Sequence, residues 1–218
     1  MGTQPSETVA LKPPTRDADS TRAEILAVAT REFADKGYTG ARVDEIAAKI
    51  RTTKRMIYYY FGGKEQLYVA ALESAYMRIR AIEQQLDVDH LDPAEAILRL
   101  TALTFDHHEA HPDFIRLVSI ENIHRAEHIA GSAKLGRLAS PALDVLARIL
   151  ERGRAEGRFR DGVDPVDIHM LISSFCVFRI ANRFTFNAIF ERDMLAPERR
   201  DHYRRMLGEV VLDYLTAR

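Results

Sequence analysis

The sequence predicts an all-α protein in two parts, a small N-terminal three-helix module followed by a larger C-terminal helical bundle. Three observations predict it. Apolar residues recur at three- and four-residue spacing, as on one face of a helix. Helix punctuation recurs as well, with capping residues ahead of proline at Asp92-Pro93, His111-Pro112, Ser140-Pro141 and Asp164-Pro165. Strand alternation, internal repeats and low-complexity segments are missing from the pattern. At 218 residues the chain is long enough for one small module and one larger core.

Taken in order, residues 1–18 read as a disordered tail, whose Lys12 and Arg16 are too few to make a strong minor-groove arm. A first helix is expected over 19–36, with Ile25, Leu26, Ala29 and Phe33 as its inward stripe and Gly37 as its stop. A second runs over 43–50, where Val43, Ile46, Ala47 and Ile50 share one face. After a tight polar break, Thr53 caps a third helix that turns Met56, Ile57, Tyr60 and Phe61 inward. Lys54, Arg55, Tyr58 and Tyr59 are left partly outward. Cations and hydroxyls beside the positive end of a short helix suit phosphate oxygens and base edges in a major groove.

A long connector follows over 64–85, then helices opened by the prolines named above. The stretch 151–162, ERGRAEGRFRDG, reads as a solvated helix end ahead of a second nucleic-acid patch. Pro197 opens the last helix, with Tyr203, Met206, Leu207, Val210, Val211 and Tyr214.

At residues 21–72 the chain resembles the TetR family of bacterial transcription regulators. The resemblance is carried by AEILAVATREFADKGYTGARVDEIA and by ARVDEIAAKIRTTKRMIYYYFGGK: the helix-ending Gly37-Tyr38, Ile46-Ala47, Tyr58 and Phe61 in the recognition helix, and Lys64 opening the next. It implies a helix-turn-helix DNA-binding domain over 19–64, and a helical effector-binding and dimerisation domain over 65–218. The implied protein is a ligand-responsive repressor acting as a cytoplasmic homodimer on near-palindromic double-stranded operator DNA. Two positions depart from the family's pattern. Arg51 stands where a turn glycine is usual, and a left-handed arginine is strained by about 1 kcal/mol. Ala41 stands where Thr or Ser is usual, so the helix start must be settled at Arg42 or Gly40.

Within the reader, Thr52, Thr53, Lys54 and Arg55 are expected to contact base edges, and Arg42, Tyr58, Tyr60 and Lys64 the DNA backbone. Tyr59 is open between the two roles. Packing is favoured over contact for Tyr58, and contact over packing for Tyr60. The formal net charge of −1 conceals an uneven distribution: residues 16–64 hold 10 Lys or Arg against 7 Asp or Glu, so 16–64 carries +3 and the remainder −4. Affinity for DNA should therefore lean on a dimer's doubled contacts and fall with salt.

Effector candidates lie between residues 91 and 190. Phe105, Leu117 and Ile120 offer apolar walls, and His108 or His124 a polar contact. In SSFCVFRIANRFTFNAIF, Phe175 and Phe178 bring apolar surface, Arg179 or Arg183 an anchor for an acidic ligand, and Asn182 a further polar group. The same segment reads first as a dimer interface. The pairs His107/His111 and His124/His128 have chelating i, i+4 spacing but no third ligand at a fixed distance. They carry the alternative reading, a helical metalloprotein or metal-sensing regulator. No cofactor is expected, and no nucleophile and base at recognisable spacing or Gly-rich phosphate loop argues for an enzyme. The single cysteine, Cys176, fits a reducing compartment. No apolar run reaches membrane-spanning length, and the first twenty residues lack a signal peptide's apolar core.

Overall fold

The computed structural model describes residues 15–137 and 140–216. Among them there is no strand, and twelve helices follow one another: α1 (Thr15–Gly40), α2 (Val43–Lys49), α3 (Lys54–Phe61), α4 (Lys64–Gln84), α5 (Pro93–Ala110), α6 (Pro112–Ile123), α7 (Glu127–Ala130), α8 (Ala133–Arg137), α9 (Ser140–Ala155), α10 (Pro165–Ala181), α11 (Arg183–Phe190) and α12 (Pro197–Thr216). No described helix is long and apolar enough to cross a membrane. Lys12 and most of the expected tail lie outside the described residues. α1 already runs from Thr15, earlier than the expected start at residue 19.

Gly37 breaks α1 where the sequence places its stop, at φ 71°. Only glycine reaches that conformation without strain. A short helical turn then continues to Gly40. Ile25, Ala29 and Phe33 are fully buried, with Leu26 half-buried beside them. Ala41 is buried and Arg42 takes the N-cap of α2 in extended conformation without a side-chain cap. Buried Glu32 receives both Lys36 and Lys49, tying α1 to α2.

Capping chemistry sets the later helix starts. Asp92 accepts from Ala94 N at 3.0 Å, and Asp164 from Val166 N at 2.7 Å. Along 151–162 Arg154, Arg158 and Arg160 are exposed, as a solvated helix end requires, and three of the arginines also reach neighbouring chain. Arg152 donates to the carbonyls of Val88 and Leu91, Arg158 pairs with Asp92, and Arg160 donates to Tyr214 O at 3.1 Å. Carbonyls at element ends need donors, and these arginines supply them.

Two cores divide the molecule, and their boundary is not the sequence boundary between the parts. The first joins α1–α4 to α6 through Phe33, Ile46, Ile57, Tyr68, Leu72, Ile115 and Leu117. The second joins α5, α9, α10 and α12 through Ile97, Phe105, Ile149, Ile172, Cys176 and Val211. Gly208 lets α12 cross α5 closely; a Cβ there would sit 2.9 Å from Leu98 Cδ2. So α6, far along the chain, is built into the core of the N-terminal module.

Candidate nucleic-acid interface and effector cavity

The helix-turn-helix is closed by backbone geometry. Arg51 adopts φ 52°, the left-handed value anticipated for a glycine position, and Thr52 N donates to Ala47 O at 3.0 Å. Thr53 Oγ1 accepts from Met56 N at 3.3 Å and starts α3 as expected. Ile57 and Phe61, four residues apart, point into the first core. That face fixes the rest by rotation. Tyr60, three residues from Ile57, packs partly against the core, whereas Tyr58 is 43% exposed and Tyr59 77% exposed. The inward Tyr60 and outward Tyr58 and Tyr59 follow the apolar spacing, whereas the preference for packing at Tyr58 and against it at Tyr60 is reversed.

The first turn of α3 holds no acidic residue, only Lys54 and Arg55. Lys54 lies 3.3 Å from Asp44 Oδ1, both half exposed, so the pair is weak and readily exchanged. Lys64 is more committed: its Nζ donates to Thr39 O at 3.3 Å and sits 4.9 Å from the Tyr38 ring centroid, and burial lowers its pKa. Arg42, Arg51 and Arg55 are exposed and make no ion pair among the described residues. Thr52 and Thr53 stand at the same end of α3.

The effector candidates are not brought together. Phe105 is fully buried beneath Arg179, whose guanidinium lies 4.0 Å from its ring centroid. Arg179 donates to Glu109 at 3.1 Å and Met194 O at 3.0 Å with its Nε buried and unpartnered, and Arg183 pairs with Asp193 at 2.6 Å; neither lines the cavity between the two cores. Leu117 is in the first core, Ile120 lines a groove between α1, α6 and α11, and His124 and Asn182 are exposed. Phe175 packs on Tyr203, and Phe178, 47% exposed, faces Phe186. His108 alone of the candidate set lines the cavity between the two cores.

That cavity, about 170 Å³, is walled by Tyr76, Ile79, Arg80 and Glu83 of α4, Thr104 and His108 of α5, Phe114, Ile115 and Val118 of α6, and His169, Ser173 and Val177 of α10. Arg80 and Glu83 form a buried ion pair, and Arg80 Nε is buried without a partner. His108 Nδ1 lies 2.7 Å from Thr104 O. A carbonyl only accepts, so Nδ1 carries the proton and Nε2 is left as an acceptor. Burial pulls His108 down to about 4 and lowers His169, with Arg80 adding to both; burial raises Glu83 and Tyr76. The connector residues were missed in the sequence, although Tyr76, Arg80 and Glu83 at i, i+4, i+7 spacing share one face of α4.

The histidine pairs do not converge on a metal. His107 and His111 rings are 4.5 Å apart, but His111 faces Arg78, His124 is exposed, and His128 Nδ1 pairs with buried Glu121 at 3.0 Å. No group of three or more His, Cys, Asp or Glu able to hold a metal occurs among the described residues. His128, on α7, instead meets the Tyr38 ring tilted at 4.6 Å and the Tyr68 ring edge-on at 4.8 Å, holding α7 against α1 and α4. Burial pushes the Cys176 thiol up to about 12, which leaves it unreactive.

Known proteins agree with this geometry. The family model described as bacterial regulatory proteins, tetR family, matches residues 25–71, and that described as tetracyclin repressor-like, C-terminal domain, matches 93–211. The chain is 34% identical over 197 residues to the HTH-type transcriptional repressor NicS of Pseudomonas putida, covering 90% of this chain and 93% of that one. It is 32% identical over 159 residues to the HTH-type transcriptional repressor SCO4008 of Streptomyces coelicolor, covering 72% and 77%. The crystal structure of the regulator SCO4942 from Streptomyces coelicolor superposes with a TM-score of 0.66 at 28% identity, covering 89% of this chain and 98% of that one. These relatives are transcription regulators, and none supports the metalloprotein alternative.

Proposed function

We propose, from the premise that the chain belongs to the TetR family of bacterial transcription regulators and is a DNA-binding repressor, that it acts as a ligand-released homodimer in the cytoplasm. The observation that carries this reading is the outer face of α3 and its turn, where Arg42, Arg51 and Arg55 have no ion-pair partner among the described residues and Lys54 has only a weak one. Thr52, Thr53, Lys54 and Arg55 take base edges. Arg42, Arg51 and Tyr58 take phosphates, and Lys64 and Tyr60 hold the frame behind them.

Dimerisation is supported by large apolar side chains left exposed: Val166, Met170 and Phe178 on α10, and Val210 and Tyr214 on α12. The family resemblance assigns pairing to these last long helices. Two readers then enter successive major grooves of a near-palindromic operator, roughly one helical turn or slightly more apart. The cavity supports the effector half of the reading, because its α4 and α6 walls belong to the same core as the reader. A ligand that prefers a shifted α4 and α6 would separate the readers and release DNA.

A gel-shift of the full chain against the intergenic DNA beside its own coding sequence, with nonspecific competitor, tests this. A specific shift that outlasts competitor is expected. A folded protein that binds competitor equally well would overturn it.

A further inference from the structure

The cavity has more polar chemistry than an apolar pocket requires. Its space, about 170 Å³, is close to the roughly 150 Å³ that admits a benzene ring, so the occupant is one ring with a small substituent. Tyr76 and Phe114 meet edge to face at 5.0 Å beside aliphatic Ile115 and Val177, which makes one side of the space apolar.

The other side is centred on Arg80, the one Lys or Arg in the cavity wall. One of its terminal nitrogens is held by Glu83, while Nε is buried with no acceptor. An unmet donor on a buried cation is costly, and an acceptor on a ligand removes that cost. Around it stand His108 and His169, both kept neutral by burial and by the nearby Arg80 charge. Glu83 is the one carboxylate in the wall, and burial already disfavours its charged form. A further positive charge would meet Arg80 and two imidazoles. A negative charge would complete the guanidinium and relieve the electrostatic pressure on both rings.

We propose that the cavity binds a compact organic monocarboxylate, a single ring carrying one carboxylate, with the carboxylate on Arg80 and the ring against Phe114, Ile115 and Val177. The assignment rests on the effector reading of this cavity. Arg80 takes the place of Arg179 and Arg183 as the anchor for an acidic ligand because it is the arginine that lines this cavity.

Calorimetry on the full chain with benzoate, neutral benzamide and the larger 2-naphthoate tests the class. Benzoate is expected to bind at least about tenfold tighter than either of the others. Val177→Trp, which fills the cavity, is expected to abolish that binding. Arg80→Gln with Glu83→Gln keeps the wall neutral and hydrogen-bonded, and should cost benzoate about tenfold while leaving benzamide unchanged. If that pair does not fold, the benzoate-to-benzamide ratio in the natural chain decides alone. Benzamide binding as tightly as benzoate, with both blocked by Val177→Trp, would overturn the charge assignment and leave the effector site standing. Benzoate binding untouched by Val177→Trp would overturn both. Binding of none of the three overturns the proposed class, while the gel-shift separately reports whether the chain is a repressor.

Discussion

The reader and the α5–α10–α12 layer use arginine in opposite ways. In the reader, Arg42, Arg51 and Arg55 are exposed without ion-pair partners among the described residues. In the second layer, Asp106 takes Arg200 at 2.6 Å and Arg204 at 2.9 Å, and Glu109 takes Arg200 and buried Arg179. The difference teaches what each charge is for. A cation that must exchange water for phosphate is best left without an internal partner, while one that fixes helix positions is best surrounded by carboxylates and carbonyls.

The contrast breaks most visibly at Lys54→Ala with Arg55→Ala. Operator affinity should fall roughly 100-fold or more with helicity and Tm unchanged, measured by anisotropy and circular dichroism. Unchanged binding would mean that α3 does not read DNA. Arg179→Ala should do the reverse. It removes a buried partner of Glu109 and should cost about 3 kcal/mol of stability in denaturant unfolding, leaving the reader's surface intact.

Acid should act on the second region as well. Burial holds His107 at about 3 and His108 at about 4, against 6.5 for a free imidazole. The unfolded chain therefore binds more protons in this window, so stability is full above about pH 6.5 and falls as pH drops toward 4 and 3. By pH 5 the loss should be about 2 kcal/mol for each ring, and a His108→Gln variant should lose less on the same titration. The smallest effect sharpens the comparison within one residue. Arg51→Gly should stabilise the fold by about 1 kcal/mol by relieving φ 52°, yet weaken operator binding and flatten its salt dependence.

Much of the reader was legible because its signals are local. The Ile46-Ala47 and Ile57-Phe61 spacings, the Thr53 cap and the odd residue at Arg51 all act within a few positions, and each occupies its expected place in the structure. The apolar spacing places Tyr60 inward and Tyr58 outward correctly, and only the preference between packing and contact is the wrong way round, because these tyrosines differ by rotation about α3. The effector region was less legible because its partners are distant in sequence. Arg179 looked like a free anchor until Glu109 met it from 70 residues away. Arg80 and Glu83 carried no expectation within the connector, and α5, α6 and α10 close over them.

Footprinting of the operator complex with dimethyl sulfate, which methylates guanine N7 in the major groove, tests the central claim most directly. Two protected major-groove segments, related by a near-palindrome and roughly one helical turn or slightly more apart, are predicted for a pair of α3 helices. A single protected patch without that symmetry, or uniform protection along the DNA, would contradict it.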